Sequence, residues 1–432
     1  MPDSFDFLAE HQLLSRRYFL KAGGAGLITG SVAGSSLLTS ALAQQPSDSP
    51  TKKNAVELGE AVKTGQPLIT SQDRFFDVSR GSPIPHTLPE EQKRAVGMTH
   101  DTWKLEVISD PENPVKLRRS LSQEQNSALD FAGLMQLAEK HAVRFPKVMT
   151  CLNLGCPLGF GIWEGVPLRE VVWMTEPNEK LRRVFYYGYH NDKPDQIFQS
   201  SLPIGRVLED PYDLPPVILC YKLNGQWLSP ERGGPVRIVV PEAYGFKSIK
   251  WLSHVVLTNL AHANDTYAKD GNDVDSPLKT FAATIGYPTE IAAGEKIPIS
   301  GYAQVGISGL SKVQAWIVSD DEQLPAGDRY YQQAPWTDME ILAPPTTWGD
   351  ELPSGKIPDT TLGFDPQTGT PRIWPMRLTM AHWAGVLPGL PAGKYTLRCR
   401  SIDEKGIPQP LPRPLRKSGH SAITQVSITI KP

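Results

Sequence analysis

Val148-Met149-Thr150-Cys151-Leu152-Asn153-Leu154-Gly155-Cys156, followed by Gly161-Ile162-Trp163-Glu164-Gly165-Val166-Pro167-Leu168, decides how this chain is read. Its first residues are a short apolar run suited to a strand, which delivers a cysteine into a loop of small residues. A turn at Gly165-Val166-Pro167 then leads into a helical-looking run at 168–174. A thiolate at a strand end is a soft ligand, suited to zinc, copper, iron–sulfur or another thiophilic metal. One cysteine cannot complete such a site, so further ligands must come from elsewhere. The competing reading is a Cys151–Cys156 disulfide, the two being near enough in sequence to bridge. Cys220 and Cys399 lie in apolar strand-like runs and read as small core residues.

Outward from that stretch, 432 residues at about 150 per domain suggest two or three domains. Lys and Arg number 44 against 46 Asp and Glu, a formal charge of −2, which argues against a nucleic-acid partner. Forty prolines and 36 glycines point to a β-rich, turn-heavy chain rather than a helical bundle.

The N-terminal residues read as a targeting segment. Ser15-Arg16-Arg17-Tyr18-Phe19-Leu20-Lys21 carries the twin-arginine pattern, a Gly/Ala-rich apolar run follows, and Ala41-Leu42-Ala43 is a small-residue cleavage site. Residues 1–43 are therefore expected to be a signal peptide read by the twin-arginine translocation machinery, which puts the mature chain in the periplasm. A membrane-anchor helix is the other reading, though Gly and Ser interrupt the run. Twin-arginine export carries folded proteins, as a protein loaded with a prosthetic group in the cytoplasm requires. Residues 44–72 are polar and aperiodic and read as a surface linker.

Five stretches in order carry a family resemblance: Thr150-Cys151-Leu152-Asn153; the 163–168 turn; Leu223-Asn224-Gly225; Gly234-Pro235-Val236-Arg237-Ile238-Val239-Val240-Pro241; and Lys247-Ser248-Ile249-Lys250-Trp251-Leu252. Together they resemble the sulfite oxidase family of molybdenum enzymes, from about Phe75 to the C-terminus. The resemblance implies a mixed α+β, β-rich molybdopterin-binding domain over 73–277, then an all-β immunoglobulin-like sandwich over 278–432 that mediates homodimerisation. It also implies molybdenum with one pterin, whose dithiolene sulfurs join Cys151 as the single protein ligand. Arg237 matches a family arginine directly, while Arg232 stands where the family has a histidine. Arg232, Arg237, Lys247, Ser248 and Lys250 are the implied donors to the pterin and its phosphate, and His190 or Asp192 occupies the place of an acidic cofactor contact. Counting back from the prolines of Arg74-Phe75-Phe76-Asp77-Val78-Ser79-Arg80-Gly81-Ser82-Pro83 puts Ser79 at the family's substrate arginine, with Arg80 one residue on. Arg80 and Tyr267 are the implied substrate-side residues beside Cys151.

Read locally, 103–107 is a strand, 127–142 a helix with Asp130 near its start, 183–189, 217–221 and 235–241 are strands, and Asn224-Gly225 is a tight turn. Short β-like runs at 297–305, 313–318, 395–400 and 423–430 give the C-terminal third its sandwich pattern. The chain has neither a haem-attachment Cys-x-x-Cys-His nor the His-Pro-Gly-Gly of a fused cytochrome b5 domain. Electrons are therefore expected to leave for a separate cytochrome c-type acceptor. The implied reaction is two-electron oxygen-atom transfer to a small anionic substrate, a sulfur oxyanion such as sulfite. The rivals are a molybdenum-dependent sulfoxide reductase and a secreted, non-enzymatic protein of two β modules.

Overall fold

In the computed structural model the described residues are 68–432, apart from 155–156, 212, 276, 325–326, 329–330, 350, 353–354, 411–412 and 420. The twin-arginine segment, most of the 44–72 stretch and Cys156 therefore lie outside them. The end of the expected linker departs from its reading. Leu68 and Ile69 are buried, and the Thr70 backbone N–H donates to Phe160 O at 2.7 Å, so the chain is already packed there.

The first module contains two sheets. One runs β2 (Leu129–Asp130), β1 (Lys104–Ser109), β10 (Leu252–Thr258), β5 (Arg183–Gly188) and β6 (Gln199–Pro203), with β1 and β10 parallel and every other pair antiparallel. The other runs β3 (Val143–Thr150), β4 (Pro157–Pro167), β7 (Ile218–Leu223) and β8 (Gln226–Trp227), with β9 (Arg237–Val239) also on β7. Between β2 and β3 lies a helix, Phe131–His141, where the Asp130 side chain accepts from the Gly133 N–H at 2.8 Å and closes the first turn. Asn224 and Gly225, both at positive φ, make the β7–β8 hairpin.

Residues 157–167 correct the sequence reading. Instead of a loop and turn they form β4, eleven residues that are all buried. Its glycines mark close approaches rather than a break: a Cβ on Gly159 would sit 2.5 Å from the Phe75 ring, and one on Gly165 would sit 2.3 Å from Leu219 O. The register between β3 and β4 shifts between Met149 and Thr150, immediately before Cys151. An irregularity of this kind re-aims the chain, and here it turns β3 out of its ladder at the cysteine.

The second module is all β. β11 (Phe281–Gly286), β13 (Ile297–Gln304) and β16 (Met380–Leu387) form one layer, while β14 (Lys312–Ser319), β17 (Gly393–Ile402), β18 (Thr424–Lys431) and β12 (Glu290–Ala292) form the other. β15 (Thr337–Ile341) pairs with β14 through its first residues and with β16 through its last, joining the two layers into one hydrogen-bonded path. The alternating burial of β18 turns Val426, Ile428 and Ile430 into a core shared with Trp383 and Leu397. A further cluster spans both modules, with Val148, Tyr244 and Tyr267 from the first beside Tyr302, Phe281 and Leu378 from the second.

Candidate active site

β3 hands Cys151 to a cavity of about 290 Å³. Cys151 is a free thiol, half-buried, and it lines that cavity. Two groups of side chains line it.

Three buried cations form the first group. Arg232, 3% exposed, donates from Nη1 to Phe75 O at 2.9 Å and pairs through Nη2 with the Glu231 carboxylate. Arg237 donates to Arg232 O at 2.8 Å and to Ser248 O at 2.5 Å, with its guanidinium 5.4 Å from the Trp163 ring centroid. Lys250 spends all three ammonium protons, on Asp77 Oδ1 at 2.8 Å, Ser79 Oγ at 2.6 Å and Glu231 O at 2.7 Å. Burial pulls Arg237 down to about 10 and Lys250 down to about 8, and lowers Arg232 as well. Burial alone would raise the Asp77 carboxyl, but the Lys250 ammonium and the hydrogen bonds from Lys250 and Ser79 hold it below the usual range. Three cations against two carboxylates leave this group positive. Among the described residues, Nε of Arg232 and Nε of Arg237 are buried donors without a partner. A buried donor left unpaired costs about 1–3 kcal/mol, and an anionic group with several acceptor oxygens would relieve both.

The second group is Arg80 and Tyr267 with their supports. Arg80 Nη2 lies 3.4 Å from the Tyr267 hydroxyl, and its guanidinium stacks 4.6 Å from the Phe198 centroid. Tyr267 donates to Asn153 Oδ1 at 3.2 Å and lies flat on Phe246, with centroids 4.3 Å apart at 8°. Such a pair is worth about 0.5–1.5 kcal/mol beyond the area it buries. Burial raises the Tyr267 phenol, Arg80 pulling the other way. The short helix carrying it, Thr266–Lys269, starts where Asp265 accepts from the Ala268 N–H at 3.1 Å. His190 also lines the cavity, and burial and then the Arg80 charge lower its pKa.

Two residues named from the sequence do not reach the cavity. Lys247 sits in the 3-10 turn Gly245–Lys247, whose successive side chains point apart. Phe246 and Ser248 line the cavity, while the Lys247 ammonium turns the other way, to Ser201 O at 2.7 Å and to 3.9 Å from Asp265. Asp192 is exposed and accepts from the Tyr189 hydroxyl at 3.2 Å. Sequence reasoning missed Asp77, Glu231 and Phe198. Asp77 stands inside the quoted Arg74–Pro83 stretch, but its partner Lys250 is 173 residues away and no local pattern announces the pair.

Among the described residues no cluster of three or more His, Cys, Asp and Glu could hold a metal by itself. The donor set is one free thiol with a cationic wall, and it suits a metal that brings its own remaining ligands on an anionic carrier. The residues therefore fit a molybdenum–pterin group.

Comparison with known proteins points the same way. The oxidoreductase molybdopterin-binding domain matches residues 93–266. The NADPH nitrate reductase of Beauveria bassiana is 30% identical over 199 residues, 44% of this chain and 20% of that protein. The mitochondrial sulfite oxidase of Drosophila melanogaster is 29% identical over 43% of this chain and 30% of its own. The protein-methionine-sulfoxide reductase catalytic subunit MsrP of Campylobacter jejuni is 28% identical over 56% of this chain and 73% of its own. The chain spans about a fifth of the length of the nitrate reductases it matches. The sulfane dehydrogenase SoxCD of Paracoccus pantotrophus has the same fold, with a TM-score of 0.52 at 14% identity over 81% of this chain and 86% of that one. Fold, site and domain define a molybdopterin-binding oxidoreductase. Within that class the chain is similar to a mitochondrial sulfite oxidase and to MsrP. An oxidoreductase domain argues against the non-enzymatic reading.

Proposed function

We propose that this protein is an exported molybdenum oxidoreductase that oxidises a small sulfur oxyanion, of which sulfite is the simplest, and passes the electrons to a separate cytochrome-type acceptor. Cys151 would hold the metal, and Arg232, Arg237 and Ser248 would hold the pterin and its phosphate. When bound, that group supplies two-electron oxygen-atom transfer. The residues of the chain supply binding, orientation and charge. Arg80 lines the cavity with neither the carboxylate partner of Arg232 nor the carbonyl anchors of Arg237 among the described residues, so it would receive the anion. Tyr267, held by Asn153 and Phe246, would orient Arg80 and offer the substrate a hydroxyl. Phe198 covers one face of the guanidinium, which leaves its donors directed to the cavity.

The observation that carries this reading is the pairing of a free cavity thiol with a second, separate cation 3.4 Å from a tyrosine hydroxyl. Export to the periplasm rests on the twin-arginine pattern of residues 15–21, and homodimerisation on the all-β second module. A second reading, reduction of a sulfoxide, is favoured by the likeness to MsrP and by the aromatic residues around the cavity. Turnover of sulfite, thiosulfate, nitrate and methionine sulfoxide, with ferricyanide and with reduced viologen in parallel, separates the two. Sulfite-dependent ferricyanide reduction is expected. Viologen oxidation with methionine sulfoxide alone would replace the first reading by the second.

A further inference from the structure

Cys151 is held in place from the second module as well as the first. Thr150, the residue before it, is fully buried, and its hydroxyl donates to Gln304 Oε1 at 2.5 Å across 154 positions of sequence. Gln304 closes β13 of the second module and is also fully buried. Its amide cannot swing, because Nε2 donates to Lys279 O at 2.6 Å. Two residues earlier on β3, the Val148 N–H donates to Leu378 O at 2.8 Å, and Leu378 in turn donates to Val305 O, next to Gln304. The register shift between Met149 and Thr150, the last paired residue of β3 before the chain leaves its ladder at Cys151, thus occurs where the second module grips the strand.

We infer that Gln304 is a positioning residue for the cysteine ligand, so that the second module fixes the direction in which the Cys151 sulfur faces the cavity. A strand that leaves its ladder loses the neighbour that would fix its next residue. Here the lost constraint is replaced by one buried side-chain hydrogen bond, made by an amide that is itself anchored. Without that bond Thr150 and Gln304 both keep buried polar atoms with no partner, and the strand end relaxes to seek others. This inference rests on the proposed role of Cys151 as the metal ligand.

The test uses the full-length protein purified with its cofactor, and measures alkylation of Cys151 by iodoacetamide, located by peptide mass, beside molybdenum content and melting temperature. Thr150→Ser keeps the hydroxyl and is expected to protect Cys151 as the parent does. Thr150→Val and Gln304→Leu are expected to be alkylated roughly fivefold faster, the factor for one net hydrogen bond, and the double variant no faster than either single one. Unchanged alkylation in both single variants, even with a lower melting temperature, would reduce Gln304 to a core residue and overturn the inference. Because Thr150→Val is nearly isosteric, the test survives a Gln304 variant that fails to fold. Cys151→Ala, which removes the donor atom altogether, is the control for the underlying reading. If it keeps its molybdenum, the ligand assignment itself falls and the positioning role with it. If it loses the metal while the other variants stay protected, only the positioning role falls.

Discussion

The Nη2 atom of Arg80 stands 3.4 Å from the Tyr267 hydroxyl, joining residues 187 positions apart over a cavity that also holds Cys151. The first of these is the loose, solvent-side cation of the site, while Arg237 is buried and anchored on two carbonyls. Removing them should therefore have different consequences. Arg80→Met is expected to raise KM for an anionic substrate by roughly 10- to 150-fold, the loss of one charge-assisted hydrogen bond, with normal molybdenum content. Arg237→Met is expected to lower cofactor content and leave KM of the remaining loaded enzyme within about threefold. Steady-state kinetics normalised to metal checks both. An unchanged KM in Arg80→Met removes Arg80 from the substrate site.

Tyr267→Phe keeps the stack on Phe246 and deletes only the hydroxyl shared by Arg80 and Asn153. Stability should change by less than about 1 kcal/mol, while kcat/KM falls roughly 5- to 20-fold because Arg80 loses its anchor. Thermal unfolding and substrate saturation curves, measured on one preparation, show whether the two effects separate.

The titration of Lys250 gives a pH dependence with a definite sign. Its folded pKa is depressed to about 8 from an ordinary 10.5, chiefly by burial. Between these values the unfolded chain binds a proton that the folded chain has released, so the contribution of this group to stability rises with pH across the window from about 8 to about 10.5. Urea unfolding midpoints at intervals through that window are expected to show a flatter pH slope in Lys250→Met than in the parent. Parallel slopes would mean that Lys250 keeps its proton in the folded protein, held by Asp77.

Much of this site could be read from the chain because it is local. The apolar run before Cys151 is one strand, and Asn224-Gly225 is a hairpin turn with both residues at positive φ. What escaped was whatever depends on a distant partner. Gly159, Gly161 and Gly165 look like loop residues until Phe75, Leu223 and the β7 backbone are seen to pass over them, and β4 was missed for that reason. Lys247 and Lys250 are alike as sequence. Only the tight turn between them sends one to Ser201 and the other to Asp77. Leu68 and Ile69 follow an aperiodic stretch, yet pack into a core whose other members are more than seventy residues away.

Gly188 offers a probe of the wall itself, since a Cβ there would lie 2.1 Å from Lys250 O and 2.4 Å from Trp251 O. Gly188→Ala must push β5 away from the backbone that carries Lys250, at an expected cost of about 1–3 kcal/mol and with weakened cofactor retention. A melting temperature and metal content equal to the parent's would show that this contact is not tight.

The most direct measurement is the molybdenum content of the full-length protein, purified after export from a cofactor-competent host, beside that of Cys151→Ala. About one metal per chain is expected in the parent, falling at least tenfold in the variant while the fold, followed by circular dichroism, stays intact. Equal molybdenum in the two proteins, or none in the parent, would contradict the assignment of Cys151 as the ligand.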